Sequence, residues 1–152
     1  MNEPVIQIDD RVLKKLIKAF KNNIPEVRVG IMAGKSGRKD GGSNAAIGAK
    51  HEFGGDGMPI RSFLRMPLSE HLNKKLESSG AFKEDTIREV IRLGNIRPWC
   101  LKLAIVAEGI VQEAFHTGGY GQWKPSNMRF KKNHQTLVET QQLRDSITSV
   151  VK

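Results

Sequence analysis

A single cysteine, Cys100, stands among 152 residues. With no partner in the chain it forms no internal disulfide, and a reducing compartment is the expected home. No apolar run approaches the length of a membrane span. The opening MNEPVIQIDD is acidic and short of apolar residues, unlike a signal peptide. The expectation is a protein made in a cytoplasm, with no membrane contact. Histidine is sparse as well: His51, His71, His116 and His134. None lies at ligand spacing with another, and His51-Glu52 lacks the second histidine of HExxH, so no metal site is expected. Acidic side chains are the minority charge, 16 against 25 Lys and Arg, which leaves a net +9. Such a balance suits nucleic acid or an acidic partner, although the basic residues are spread along the whole chain.

What is present reads as one domain, residues 1–152. Val5-Ile6-Gln7-Ile8 is a short strand candidate, and Asp9 and Asp10 then offer a helix start. Residues 11–22 carry Val12, Leu13, Leu16, Ile17 and Phe20 on one face and Lys14, Lys15, Lys18 and Lys21 on the other, the pattern of an amphipathic helix. Residues 25–32 alternate, with Val27, Val29 and Ile31 on one side, and predict the best strand of the chain. Residues 33–43, AGKSGRKDGGS, have the composition of a mobile basic loop with Lys35, Arg38 and Lys39 among glycines. The GxxxxGK[ST] order of a phosphate loop is absent, so no nucleotide is expected there.

A short helix follows over 44–53, capped by Ser43 or Asn44, with Ala46, Ile47 and Phe53 as its apolar side. The glycine turn at 54–57 leads to Pro59-Ile60-Arg61-Ser62-Phe63-Leu64-Arg65, which alternates as a short strand with an arginine on each side of an aromatic anchor. Pro67 closes that stretch. Helices are predicted over 68–78, using Leu68, Leu72 and Leu76, and over 82–93, using Phe82, Ile87, Val90 and Ile91. The longest helix opens at Pro98 and runs to about His116. Trp99, Leu103, Val106, Ile110 and Ala114 form its main stripe; Leu101, Ile105, Val111 and Phe115 widen it, so it should be buried on more than one side. Gly109 within it implies close packing against a neighbour. Residues 120–134 read as a loop in which Trp123 and Phe130 lie among Lys124, Arg129, Lys131 and Lys132. Trp123 either pins that loop to the body or stacks on bases. A turn of helix at 141–146 and a strand at 147–151 end the pattern.

Two carboxylate pairs are candidates for acid–base work, Glu52 with Asp56 and Glu108 with Glu113. Neither has a second catalytic feature beside it in sequence. Cys100 next to Trp99 on an apolar helix reads as core rather than nucleophile. An interaction protein is therefore favoured over an enzyme.

One set of motifs goes further. A strand ending in Gly-Ile is followed by a loop, by AxIGAxHEFGG and by PIRSFLRMP; much later come Trp123-Lys124-Pro125-Ser126, a lysine cluster and TQQLRDSI. This order resembles the virion-morphogenesis proteins of Mu-like tailed bacteriophages and prophages, the tail-completion or neck proteins, over about residues 27–151. Ser62 stands where that family usually has proline. The resemblance implies an α+β fold, a small antiparallel β-sheet packed against helices with long loops used in oligomer contacts. It implies a ring-forming structural component, a tail terminator or head–tail connector, without catalysis, metal or cofactor. Its partners would be copies of itself, with a hexamer ahead of a dodecamer, and neighbouring tail-tube, sheath or connector proteins, with DNA in the lumen. Arg61, Phe63, Leu64, Arg65 and Trp123 would supply the ring interface. Lys35, Arg38, Lys39, Lys131 and Lys132 would face a partner or DNA. The protein would be assembled in the bacterial cytoplasm and end in the virion. The competing expectation is a basic DNA-binding module without catalysis, using the same lysines and arginines.

Overall fold

The computed structural model describes residues 10–21, 24–39, 41–55, 57–124 and 141–152. In chain order the elements are α1 (Asp10–Lys21), β1 (Val27–Ile31), α2 (Asn44–Phe53), α3 (Arg65–Ser78), α4 (Glu84–Leu93), α5 (Arg97–Thr117), the single turn α6 (Gln142–Asp145) and β2 (Ile147–Val151). A 3-10 turn, Ala33–Lys35, follows β1. The fold is α+β. β1 and β2 pair antiparallel, with Val27 opposite Val151 and Ile31 opposite Ile147. Glu26 and Lys152 exchange backbone hydrogen bonds of 2.9 and 3.0 Å and extend the ladder by one pair.

α5 is the element on which the rest is arranged. It packs across both strands and also against α3 and α4, while α1 packs on α4. Its buried residues change size along its length. Cys100, Ala104 and Ala107 are small; Ile110, Val111, Ala114 and Phe115 are mostly large. Two core clusters follow from that gradient. Around the large end, Phe63, Val111, Phe115, Leu143 and Ile147 are buried, with Val29, Ile31 and Leu68 against them. Around the small end, Ala19, Val90, Ile96 and Cys100 are buried, with Val27, Trp99 and Val151 against them. One end of the sheet serves each cluster. Phe63 and Phe115 lie 5.2 Å apart between ring centres, tilted by 51°; fully burying such a ring stabilises by about 1.5–3 kcal/mol.

α5 also closes the outer edge of β2. The Ser149 N–H and hydroxyl both donate to Glu108 Oε2 at 2.7 Å, and Arg97 Nη2 donates to the Val151 carbonyl at 3.2 Å. The helix ends at Gly118 in the left-handed conformation, its N–H returning to the Ala114 carbonyl.

Several expectations are corrected. Residues 59–65 do not form a strand: the chain bends, and α3 begins at Arg65, ahead of Pro67. Proline is tolerated there because the N–H groups of a first turn have no helical acceptor to lose. α2 buries Asn44, Gly48 and Glu52 rather than Ala46 and Phe53, and the Phe53 side chain is outside. In α5, Leu101 and Ile105 are exposed, so one side of the helix is open. Gly109 has no close neighbour: a Cβ there would meet nothing within 4 Å. Gly48 is the tight position, where a Cβ would stand 2.9 Å from Ile31 Cδ1 and 3.2 Å from Phe63 Cζ. The stripe of α1 is only half covered, for Val12, Leu13, Ile17 and Phe20 are exposed while Ala19 carries the contact. The strand expected at 5–8 and most of the 120–134 loop lie outside the described residues.

Candidate functional site

The two motif segments, His51–Phe53 and 60–66, are built into one unit by Glu52. α2 starts where the Ser43 side chain accepts from the Ala46 N–H, and Gly48 lets the helix approach Ile31 and Phe63. One turn later Glu52 points inward, 4% exposed. Its Oε2 accepts from the Phe63 and Leu64 N–H groups at 2.9 and 3.0 Å. Its Oε1 accepts from the Ser62 hydroxyl at 2.6 Å and from the Arg65 N–H at 3.0 Å. The Ser62 hydroxyl in turn accepts from the Met66 N–H at 3.0 Å. A carboxylate and a hydroxyl thus satisfy the free donors at the start of α3, where negative charge is also favoured. Leu64, the capping residue, contributes no side-chain bond of its own. Ser62 both donates and accepts here, which a proline in its place has no group to do.

The bend is held from the other side by Trp123, whose Nε1 donates to the Ser62 carbonyl at 3.1 Å and whose ring stands edge-on to Phe115 at 5.6 Å. Gly119 leaves room for that ring, since a Cβ there would lie 2.1 Å from Trp123 Nε1. Phe63 and Trp123 are therefore built into the body of one chain. Arg61 is buried too; its Nη2 donates to the Lys124 carbonyl at 3.4 Å, and burial lowers its pKa. Leu64 is half-buried. Arg65 reaches the surface and lies over the Phe53 ring, 5.4 Å from its centre. Of the five residues expected at an interface, Arg65 alone is well exposed.

The glycine-rich loop is folded back rather than extended. Arg38 N–H bonds the Gly42 carbonyl at 3.1 Å, the Asn44 N–H bonds the Ser36 carbonyl at 2.6 Å, and the Ser36 and Ser43 hydroxyls are 2.8 Å apart. Arg38 Nη1 donates to Asn44 Oδ1 at 2.9 Å, and Lys39 N–H reaches Gln142 Oε1 at 3.3 Å. Lys35 and Lys39 remain exposed on this loop. Lys131 and Lys132 lie outside the described residues, as does Asp56.

The remaining carboxylates of interest are engaged separately. Glu108 holds the edge of β2. Glu113 pairs with Lys75 at 2.8 Å and accepts from the Tyr120 hydroxyl at 3.2 Å. The hydrogen bond from Lys75 holds the Glu113 carboxyl below its ordinary value. Burial, with Glu113 close by, pushes the Tyr120 hydroxyl up to about 12, and its ring stacks on His71 at 3.8 Å. This network ties α3 to α5. Burial also raises the Cys100 thiol, which makes the thiolate scarce. Among the described residues no three His, Cys, Asp or Glu side chains stand where they could hold a metal ion.

Two apolar grooves open on the surface. One, of about 350 Å³, is lined by Leu16, Phe20, Phe82, Ile87, Val90 and Trp99. The other, of about 390 Å³, lies between β1, α2 and the start of α3. No described helix is long and apolar enough to cross a membrane. No protein-family model, curated protein or solved structure matches the chain.

Proposed function

We propose that the chain is a non-catalytic structural subunit of a tailed-bacteriophage virion, a tail-completion, terminator or neck protein that closes into a ring with copies of itself. The observation that carries this reading is the apolar side chain left outside the fold. On α1 the exposed stripe of Val12, Leu13, Ile17 and Phe20 borders the groove shared with α4, and Phe82 is more than half exposed beside it. On α5, Leu101 and Ile105 are exposed, Ile105 by 70%. Contiguous apolar faces of this kind mark contact surfaces. Faces on different helices suit a head-to-tail contact, in which unlike patches meet and a rotation closes the ring. The engagement of Glu52, Glu108 and Glu113 in structural contacts supports a role without catalysis. In this reading the subunit assembles in the bacterial cytoplasm, docks neighbouring tail-tube, sheath or connector proteins, and ends in the tail or neck.

The test is the mass of the purified chain by analytical ultracentrifugation, together with electron micrographs of particles made with and without it. A closed oligomer, and unjoined heads and tails or tails of irregular length without the protein, are expected. A strict monomer that never enters particles refutes the reading. Tight DNA binding by such a monomer, weakening steeply with salt, would put the DNA-binding module in its place.

A further inference from the structure

The two edges of the small sheet are treated differently. In β2 the outward Ser149 N–H and Val151 carbonyl are taken by Glu108 and Arg97. In β1 the corresponding groups belong to Val27, Val29 and Ile31, because the mutual hydrogen bonds of Glu26 and Lys152 put Arg28 and Gly30 in the inward-bonded positions. Those three residues carry no backbone hydrogen bond to any described residue beyond the sheet. The register of this strand runs unbroken by a bulge and Arg28 is its only charged residue; an edge with open backbone groups is a template for another strand. Alongside it runs the apolar groove of about 390 Å³, lined by Val29, Ile31, Gly48, Phe63, Leu64 and Leu68. A free edge beside an apolar groove is the arrangement that takes an added strand: the main chain supplies hydrogen bonds and alternate side chains enter the groove.

We infer that β1 accepts residues 5–8 of a neighbouring copy as a third strand. The described chain begins at Asp10, so nine residues precede it. They include Val5-Ile6-Gln7-Ile8, whose alternation would set Ile6 and Ile8 on one face, the face on which Val27, Val29 and Ile31 meet the core. The donor is assigned to another copy because a segment at one place and an edge at another supply the head-to-tail contact that the ring reading needs, and pairing of the segment with its own β1 is the competing outcome of the test. Each subunit would offer a segment at one place and a groove at another, which is a head-to-tail contact. The inference rests on the ring reading and names the contact that closes it.

The test uses two full-length preparations of different mass tag, one carrying Gln7→Cys and the other Arg28→Cys, two positions that the proposed alternation sets on the same outward face of the sheet. Cys100 is buried and serves as background, checked with the parent chain. The two are mixed at ring-forming concentration and treated with a short bis-maleimide. A covalent heterodimer of summed mass, absent when Glu89→Cys on α4 replaces Arg28→Cys, is expected. Rings that form without this product overturn the strand contact and leave the ring reading standing. A link formed within one chain carrying both cysteines also overturns it, since the segment then returns to its own sheet. A monomer at every concentration overturns both.

Discussion

Replacing Glu52 by glutamine should cost about 2–5 kcal/mol of folding free energy, from hydrogen-bond terms alone. The carboxylate faces four donors: the N–H groups of Phe63, Leu64 and Arg65 and the Ser62 hydroxyl. An amide offers one oxygen and one NH2 group. If the NH2 takes the place of Oε2, it opposes the Phe63 and Leu64 donors and orphans both. If it takes the place of Oε1, it opposes only the Arg65 N–H, because the Ser62 hydroxyl can rotate and accept. The second orientation is cheaper. It leaves one donor unsatisfied, at about 1–3 kcal/mol, and reduces the two bonds of the other oxygen from charge-assisted to neutral, at about 0.5–1 kcal/mol each. Against a total stability of about 5–15 kcal/mol that is a large fraction. Urea unfolding followed by circular dichroism should show the midpoint falling by roughly 1–2 M with an unchanged slope. An unchanged midpoint would refute the clasp. A higher midpoint would do more, since carboxylates held for chemistry commonly destabilise the fold that holds them; the sign of the shift separates a structural Glu52 from a catalytic one.

Three further outcomes follow from the same geometry. Gly48→Ala should destabilise by about 1–3 kcal/mol by crowding Ile31 and Phe63, whereas Gly109→Ala, in open space on a helix, should stabilise by about 1 kcal/mol; thermal melts of the pair measure both. Phe63→Ala should cost about 3–5 kcal/mol as a core truncation, read by urea unfolding of the monomeric fraction, and a folded variant that merely fails to form rings would contradict its burial. Because Glu113 titrates below its ordinary 4.5 when folded, the stability it supplies is complete above that pH and lost as pH falls through the folded value. Lys75→Met should flatten that acid loss in a series of melts at decreasing pH, by lowering stability at neutral pH and matching the parent chain at low pH.

Much of the fold was legible because local rules and tertiary packing agree. Asp10 with an amphipathic run, and the alternation of Val27, Val29 and Ile31, place α1 and β1 close to where they stand. The bend at 59–65 was misread because its period of two looks like a strand, while the partner that prevents one is Glu52, ten residues away from Ser62 and invisible to any local pattern. The same cause hid the site: a carboxylate that caps another helix has no sequence signature. Gly48 did leave a signal, a glycine inside a short helix, but that signal was equally present at Gly109, and only packing distinguishes them. Phe53, Leu101 and Ile105 look like core by composition and lie outside. Apolar character states that a side chain avoids water; it does not state whether the cover comes from the same chain.

The pairing of β1 with β2 joins residues more than one hundred positions apart. During synthesis β1 emerges early and has no ladder on either side until nearly the whole described chain exists. A product truncated before Leu143 would leave β1 without its described partner strand on either side, together with an open end of the core where Leu143 and Ile147 belong. Incomplete chains thus expose more open backbone than the finished one, and a cell producing it in quantity would meet aggregation first among its unfinished copies.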